Sequence, residues 1–220
     1  MSLGLTVSSW GNVERSQRFR VWHPVIEEWA KIHHQYWRLT HDIGWWSGER
    51  ANVSLLGNAI WRADGCSLQE YGETKTSGMR SYSGRPDMYA LLDKHEYVIE
   101  AKQCWSYLVG DSRARIALRF GGELRRCALS NNRDHGLPVA VCFASHRIPV
   151  SRAADANELI AKYQRTKAIG TDGGHFAVGY RADLFPLGHW NGLTLKQTAW
   201  PVKYPSRYYV GVTMLVGFCA

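Results

Sequence analysis

The sequence predicts an α/β protein with a mixed central β-sheet flanked by helices. Its 220 residues are 45% hydrophobic and 21% charged, which is the composition of a globular chain large enough to bury a core. Helical and strand periodicities alternate in the order helix, three strands, helix, strand, helix, strand. Because no linker-like stretch interrupts this order, we expect a single domain over residues 1–220.

Two helices are predicted near the N-terminus. The first covers about residues 24–39, where an apolar stripe at helical spacing is formed by Val25, Trp29, Ile32 and Tyr36. The second is predicted from Ser47, a plausible N-cap, to about Trp61, where an Asp-Gly pair soon follows. Residues 1–22 favour neither period, and we expect a helical extension over about residues 1–46.

Three strands are predicted next, over residues 66–75, 86–92 and 97–103. The last two are joined by the polar turn Asp93-Lys94-His95-Glu96. A turn centred between Lys94 and His95 pairs positions whose numbers add up to 189. This register would place Asp87 opposite Lys102 and Tyr89 opposite Glu100.

The remaining chain continues the alternation. An amphipathic helix with an arginine-rich face is predicted over about 112–130, and an apolar run after Pro138 predicts a buried strand to about Phe143. These elements complete a core over about residues 47–143. A C-terminal α/β extension over about 144–220 is then predicted, with a helix at about 155–168 and strands at about 175–180 and 207–217.

The residues that indicate chemistry are Asp87, Glu100 and Lys102. Side chains alternate between the two faces of a strand, so Glu100 and Lys102 project to the same side. Cross-strand partners also share a face, which brings Asp87 to them. Two carboxylates beside an ammonium predict a site for a hard divalent cation, Mg²⁺ or Mn²⁺, with Asp87 and Glu100 as its ligands. Such an ion activates water and stabilises charge on a phosphoryl group, while Lys102 orients the water or offsets charge.

Glu49 is a further candidate member of this site. Helical spacing from Glu49 reaches Val53, Leu56 and Ile60, so it stands at the end of the stripe expected to face the sheet. The alternative for Glu49 is a residue that only complements the helix dipole. The alternative for Glu100 and Lys102 is a surface salt bridge of little energetic value.

The overall charge favours an anionic partner. Lysine and arginine total 27 against 19 aspartate and glutamate, so the net charge is +8, and nucleic acid is the commonest partner of such a surface. The chain has five cysteines and no CxxC pair, which argues against a disulfide framework and a structural zinc site and indicates a cytoplasmic protein. No apolar run approaches the roughly 18 residues of a membrane span.

These residues resemble the PD-(D/E)xK nuclease superfamily, which has the restriction-endonuclease-like fold. Pro86-Asp87 matches the PD of its motif, and Glu100-Ala101-Lys102 matches the (D/E)xK, 13 residues from Asp87 to Glu100. The family's αβββαβ core is similar in order to the elements predicted over about 47–143. The resemblance implies Mg²⁺-dependent phosphodiester hydrolysis of DNA, less often RNA.

The resemblance also implies roles for neighbouring residues. The family's first helix often supplies an additional acid, which Glu49 matches, and a glutamine sometimes follows the motif lysine, which Gln103 matches. By strand alternation, however, Gln103 points away from Glu100. Arg85 either contacts a phosphate or braces the turn, so Arg85 and Gln103 are the candidate substrate-binding residues.

Three hypotheses stay open at this point. The first is a metal-dependent nuclease, in which a homodimer is plausible for cutting both strands. The second is a non-catalytic nucleic-acid-binding module on the same fold. The third is an unrelated α/β protein in which the motif is coincidental.

Overall fold

A seven-stranded mixed β-sheet forms the centre of the molecule and is accompanied by a separate two-stranded sheet. The structure is a computed structural model that describes residues 2–70, 73–77, 80–109, 136–165, 178–187 and 207–218. Helices flank the large sheet, so the predicted mixed α/β class is confirmed. The predicted helix over 112–130 lies outside the described residues.

Two of the described helices, over Trp22–Thr40 and Glu49–Arg62, lie close to the helices predicted over about 24–39 and from Ser47 to about Trp61. Four α-helices are α1 (Gln17–Arg20), α2 (Trp22–Thr40), α3 (Glu49–Arg62) and α4 (Ala156–Gln164). Short 3-10 turns occupy Val13–Arg15, Gly44–Trp46 and Val150–Asp155. Within the described ranges, no helix combines the length and the apolar character that crossing a membrane requires.

The large sheet takes strands from both ends of the chain. Its order is β1-β8-β9-β7-β6-β5-β2, and β6 and β7 are parallel whereas the other neighbours are antiparallel. The strands are β1 (Ser2–Trp10), β2 (Cys66–Gln69), β3 (Glu73–Ser77), β4 (Arg80–Gly84), β5 (Met88–Leu92), β6 (His95–Tyr107), β7 (Leu137–Pro149), β8 (Val178–Leu187) and β9 (Arg207–Phe218). Strands β3 and β4 form the small sheet.

Two predicted elements need correction. The N-terminal extension is not wholly helical, because Ser2–Trp10 forms the edge strand β1 against β8. The strand predicted over 66–75 is interrupted, since Glu70 has a positive φ of 48° that ends β2 and separates it from β3. The strand β4, which pairs with β3, was not predicted, because Gly78 and Gly84 favoured a loop over this stretch.

The β5–β6 hairpin has a different register from the predicted one. Its turn is the pair Asp93-Lys94, both with positive φ (44° and 69°), as in a type I′ turn. Leu92 therefore pairs with His95, and Tyr89 pairs with Val98 instead of Glu100. The paired numbers add up to 187, and this shift by two residues leaves every side chain on its predicted face.

The core occupies both faces of the sheet. On the face covered by α2 and α3, the largest fully buried side chains include Trp22, Trp29 and Trp45. On the opposite face, α4 packs over small and apolar strand residues. Successive residues of β7 alternate between these cores, with Val141 on the α3 side and Cys142 on the α4 side. The burial of β7 on both faces is typical of a central strand.

Two buried histidines make the stability of this core sensitive to acid. His33 lies between the rings of Trp29 and Trp45, at 4.7 and 5.4 Å between centroids, and neither of its ring nitrogens has a hydrogen-bond partner among the described residues. Burial lowers the pKa of His33 to about 3. Burial, helped by the charge of Arg181, also lowers the pKa of His146 to about 3.

Acidification is expected to weaken the fold between about pH 6.5 and about pH 3. In that window the unfolded histidines are protonated and the native ones are not, so the unfolded chain binds more protons and the free energy of unfolding falls as the pH falls. Each histidine contributes up to about 1.4 kcal/mol per pH unit. Urea unfolding of wild type and His33→Leu at about pH 7 and about pH 5 measures this effect, and equal pH dependence in the two proteins contradicts it.

Candidate active site at the free edge of strand β6

The predicted site lies where β5 ends and β6 continues alone. Strand β5 begins at Met88, which pairs with Ile99, so the later residues of β6 have no neighbouring strand on that side within the described chain. Two carboxylates take the position of the absent strand. Asp87 Oδ2 accepts a hydrogen bond from the backbone N–H of Ala101 at 2.7 Å, and Glu49 Oε2 accepts one from Gln103 at 3.0 Å.

Lys102 lies between these two acids. Its Nζ donates to Glu49 Oε1 at 3.2 Å and to the carbonyl oxygen of Ala101 at 2.7 Å, and it is 3.8 Å from Asp87 Oδ2. Burial alone would lower the pKa of Lys102, but the charges of Asp87, Glu49 and Glu100 outweigh burial and raise it. Lys102 therefore keeps its proton at neutral pH in this arrangement of charges.

Glu100 is the most buried acid of the site. Its side chain lies on the face of β6 that also carries Lys102, and the residue is only 9% exposed. Its charge helps to raise the pKa of Lys102. One step beyond the last β5–β6 pair, Asp87 is level with Glu100 along the strands. The predicted grouping of Asp87, Glu100 and Lys102 on one side of the hairpin is thus found, although the register that predicted it was wrong.

Glu49 reaches the site because of how α3 begins. The helix starts at Glu49, after Gly48 in a conformation with φ of 111° that L-residues rarely adopt. The predicted N-cap, Ser47, lies outside the helix, because the 3-10 turn Gly44–Trp46 and Gly48 set the entry of the chain. Glu49 therefore occupies the first turn of α3, where the helix dipole favours a negative charge.

A buried carbonyl fixes this end of α3 to the sheet. The carbonyl oxygen of Trp45 accepts hydrogen bonds from Asn52 Nδ2 at 3.2 Å, Gln103 Nε2 at 3.1 Å and Ser145 Oγ at 2.9 Å. These donors come from α3, β6 and β7, so one loop carbonyl joins three elements. Asn52 and Ser145 were not among the functional residues predicted from the sequence. Asn52 could have been recognised as a polar residue inside an apolar helical stripe, because it precedes Leu56 by one helical turn.

The two predicted substrate-binding residues lie in different environments. Gln103 is turned toward the α3 side, and its amide nitrogen also contacts Ser145 Oγ at 3.0 Å. It therefore braces the Trp45 loop from within the protein, in keeping with the predicted direction of its side chain. Arg85 is exposed in the segment that leads from β4 to Asp87. The structure does not bring Arg85 and Gln103 together.

The acidic residues of the site have the donor chemistry that Mg²⁺ requires. Within the described ranges, no group of three or more His, Cys, Asp and Glu side chains is arranged to hold a metal ion. Mg²⁺ is usually held by only one or two protein carboxylates, together with water and substrate phosphate. Asp87 and Glu100 supply carboxylate oxygens, which are donors of this type. Both contacts of Asp87 given above involve Oδ2.

Comparisons of the chain with protein-family models, with curated proteins and with solved structures gave no match. The geometry at the end of β5 is therefore the basis on which a function is proposed.

Proposed function

We propose that the protein is a divalent-metal-dependent nuclease that hydrolyses phosphodiester bonds of DNA or RNA. In this proposal Asp87 and Glu100 bind Mg²⁺ or Mn²⁺, Lys102 faces the reacting phosphate, and Glu49 positions Lys102. The proposal is supported by one observation above all, namely that Lys102 lies within 3.2 Å of Glu49 and 3.8 Å of Asp87 at the free edge of β6. This is the position at which the PD and ExK sequences meet.

The order of the elements around the site also supports the proposal. Helix α3, strands β2, β5 and β6, and strand β7 follow one another along the chain, and β7 lies parallel to β6. We propose that these elements form a restriction-endonuclease-like core, with the helix predicted over 112–130 as its remaining member. A parallel pair of strands requires a crossover connection, for which residues 108–136 provide the length.

The proposed roles follow from the contacts of each side chain. The hydrogen bond from Ala101 N–H fixes the carboxylate of Asp87, so that its second oxygen has a defined direction. The hydrogen bond from Gln103 N–H fixes Glu49 in the same way, and Glu49 then holds the ammonium of Lys102. Because Lys102 stays protonated, it stabilises negative charge on the phosphate in the transition state and orients the attacking water by donation.

A bound metal ion would add the chemistry that these side chains lack. It would polarise the phosphate and make a bound water more acidic. Together with Lys102, the ion would bring positive charge to the reacting phosphate. The three carboxylates offset this charge, which keeps the cations in place before the substrate binds.

Metal removal tests the proposal directly. Purified protein at high concentration is expected to cut supercoiled plasmid, single-stranded DNA or RNA in the presence of Mg²⁺ or Mn²⁺, and to stop when EDTA is in excess. Gel analysis of each nucleic acid over time measures the reaction. Intact substrates in every combination of metal and nucleic acid would contradict catalysis and leave the non-catalytic binding module as the better hypothesis.

Metal binding is tested separately from cleavage. Calorimetric titration with Mn²⁺ is expected to detect a site that Asp87→Asn and Glu100→Gln each weaken by at least tenfold. The matched control is Glu158→Gln, which removes one exposed acid of α4 that makes none of the contacts described for the site. Equal Mn²⁺ affinity in all four proteins would show that the hairpin carboxylates are not the ligands.

A further inference from the structure

Two aromatic rings and an arginine form a ladder at the far end of β6. The guanidinium of Arg147 lies 4.2 Å from the ring centroid of Trp105 and 5.3 Å from that of Tyr107. Trp105 and Tyr107 are two residues apart in the strand and share a face, and Tyr107 is the partner of Arg147 in the parallel β6–β7 pair. The cation thus lies between two aromatic rings at distances typical of cation–π contacts.

The ladder lies further along β6 than the candidate active site, on the other face of the strand. Along β6, Asp87 binds the N–H of residue 101, Glu49 binds that of residue 103, and Trp105 comes next on that edge. Lys102 and Trp105 are three positions apart, which corresponds to about 10 Å of strand and places their side chains on opposite faces of β6. A nucleic-acid strand that contacts both side chains would therefore pass around the free edge of β6.

Trp105 presents a large apolar surface to solvent. It is 39% exposed, whereas the tryptophans of the core, such as Trp22 and Trp29, are fully buried. The contact with Arg147 restricts the orientation of the ring, so the surface is ordered before any ligand binds. An exposed indole ring held in one orientation matches an unpaired base, because the base stacks on the face of the ring.

We propose that Trp105, supported by Arg147 and Tyr107, stacks on an unpaired base of the substrate and makes single-stranded nucleic acid the preferred substrate class. A paired base in a duplex shows its edges in the grooves and keeps its faces stacked on its neighbours, so only an unpaired or terminal base offers a face to Trp105. The proposal rests on the proposed nuclease function, because that function places a phosphate at Lys102 and so sets the path of the nucleic-acid strand toward Trp105. The stacking interaction itself does not require catalysis.

Binding without metal tests the stacking. Fluorescence anisotropy of labelled oligodeoxythymidine and of a blunt duplex of equal length is measured in EDTA with wild type, Trp105→Ala, Trp105→Phe and Trp61→Ala. Trp61 is the matched control, because it is 57% exposed but lies near the other end of α3, about 18 Å along the helix from Glu49. Thermal unfolding checks that each variant is folded.

Trp105→Ala is expected to weaken binding of the single strand by about 5- to 150-fold, the range for loss of one stacked base. Trp105→Phe is expected to keep most of the affinity, and Trp61→Ala is expected to change nothing. Equal loss in Trp105→Ala and Trp61→Ala, or a larger loss for duplex than for single strand, would overturn the proposal.

Cleavage assays separate this proposal from the nuclease proposal. If the wild type cuts nucleic acid, Trp105→Ala is expected to raise KM for the single strand much more than it lowers kcat. A protein that binds single strands through Trp105 but cuts no substrate would contradict the nuclease function alone. A protein that cuts equally well with and without Trp105 would contradict the stacking alone.

Discussion

Lys102→Met is expected to reduce kcat for phosphodiester cleavage by about 10²–10³-fold, the usual loss when one fixed donor to a developing negative charge is removed. Methionine retains the length of the apolar stem but has no ammonium to place between Glu49 and Asp87. The expected loss is in kcat, because the donor contributes most when charge accumulates on the phosphate. Single-turnover cleavage with Mn²⁺ measures it.

The control for this change is Lys162→Met. Lys162 is an exposed lysine of α4, so its replacement alters the net charge equally without touching the site. Lys102→Met is expected to leave the circular dichroism spectrum unchanged and to keep binding to nucleic acid within a few-fold of wild type. A kcat within threefold of the Lys162→Met value would exclude Lys102 from the reaction.

Arg181→Met is expected to lower the free energy of unfolding by about 3–5 kcal/mol, because it leaves a buried carboxylate without its partner. Arg181 and Asp183 are each 3% exposed and form two contacts, with Nε at 3.0 Å from Oδ1 and Nη2 at 2.7 Å from Oδ2. Burial raises the pKa of Asp183 despite the opposing charge of Arg181. Urea denaturation at neutral pH measures the loss.

Asp183 also holds a chain of buried polar groups on the α4 side of the sheet. Thr213 Oγ1 donates to Asp183 Oδ1 at 2.6 Å, so its oxygen accepts from His146 Nε2 at 2.8 Å and from Tyr163 at 3.0 Å. The neutral His146 therefore carries its proton on Nε2. Loss of Arg181 disturbs this whole chain, which places the effect at the upper part of the range.

A double variant separates the pair from its surroundings. Arg181→Met/Asp183→Leu removes both charges, and it is expected to recover part of the stability that Arg181→Met loses. If Arg181→Met alone costs less than about 1 kcal/mol, the pair is solvated in solution and the buried arrangement is wrong.

The parts of the site that the sequence could predict are those that depend on strand alternation. Glu100 and Lys102 share a face in any strand, and Asp87 joins them in any hairpin register of the same parity. The register itself was wrong because Asp93-Lys94 adopts a turn with two positive φ values that usually contains glycine or asparagine. A register error of two residues leaves each side chain on the same face of its strand, so the same residues meet at the site.

The parts that the sequence could not predict depend on contacts between distant elements. The carbonyl of Trp45 collects donors from residues 52, 103 and 145, and no local pattern shows that these positions meet. The start of α3 was also missed, since a serine at position 47 is a better N-cap by composition than Gly48. The conformation of the preceding turn, which depends on tertiary contacts, determines the residue at which α3 begins.

The carboxylates of Asp87 and Glu49 have a second consequence that does not depend on catalysis. They occupy two of the N–H groups that β6 offers to a neighbouring strand, so they block pairing with an extended segment of another molecule at this edge. Neutralising both acids would uncover hydrogen-bonding groups on a strand with high β-propensity. The two carboxylates proposed to serve hydrolysis are therefore also expected to oppose self-association through this edge of the sheet.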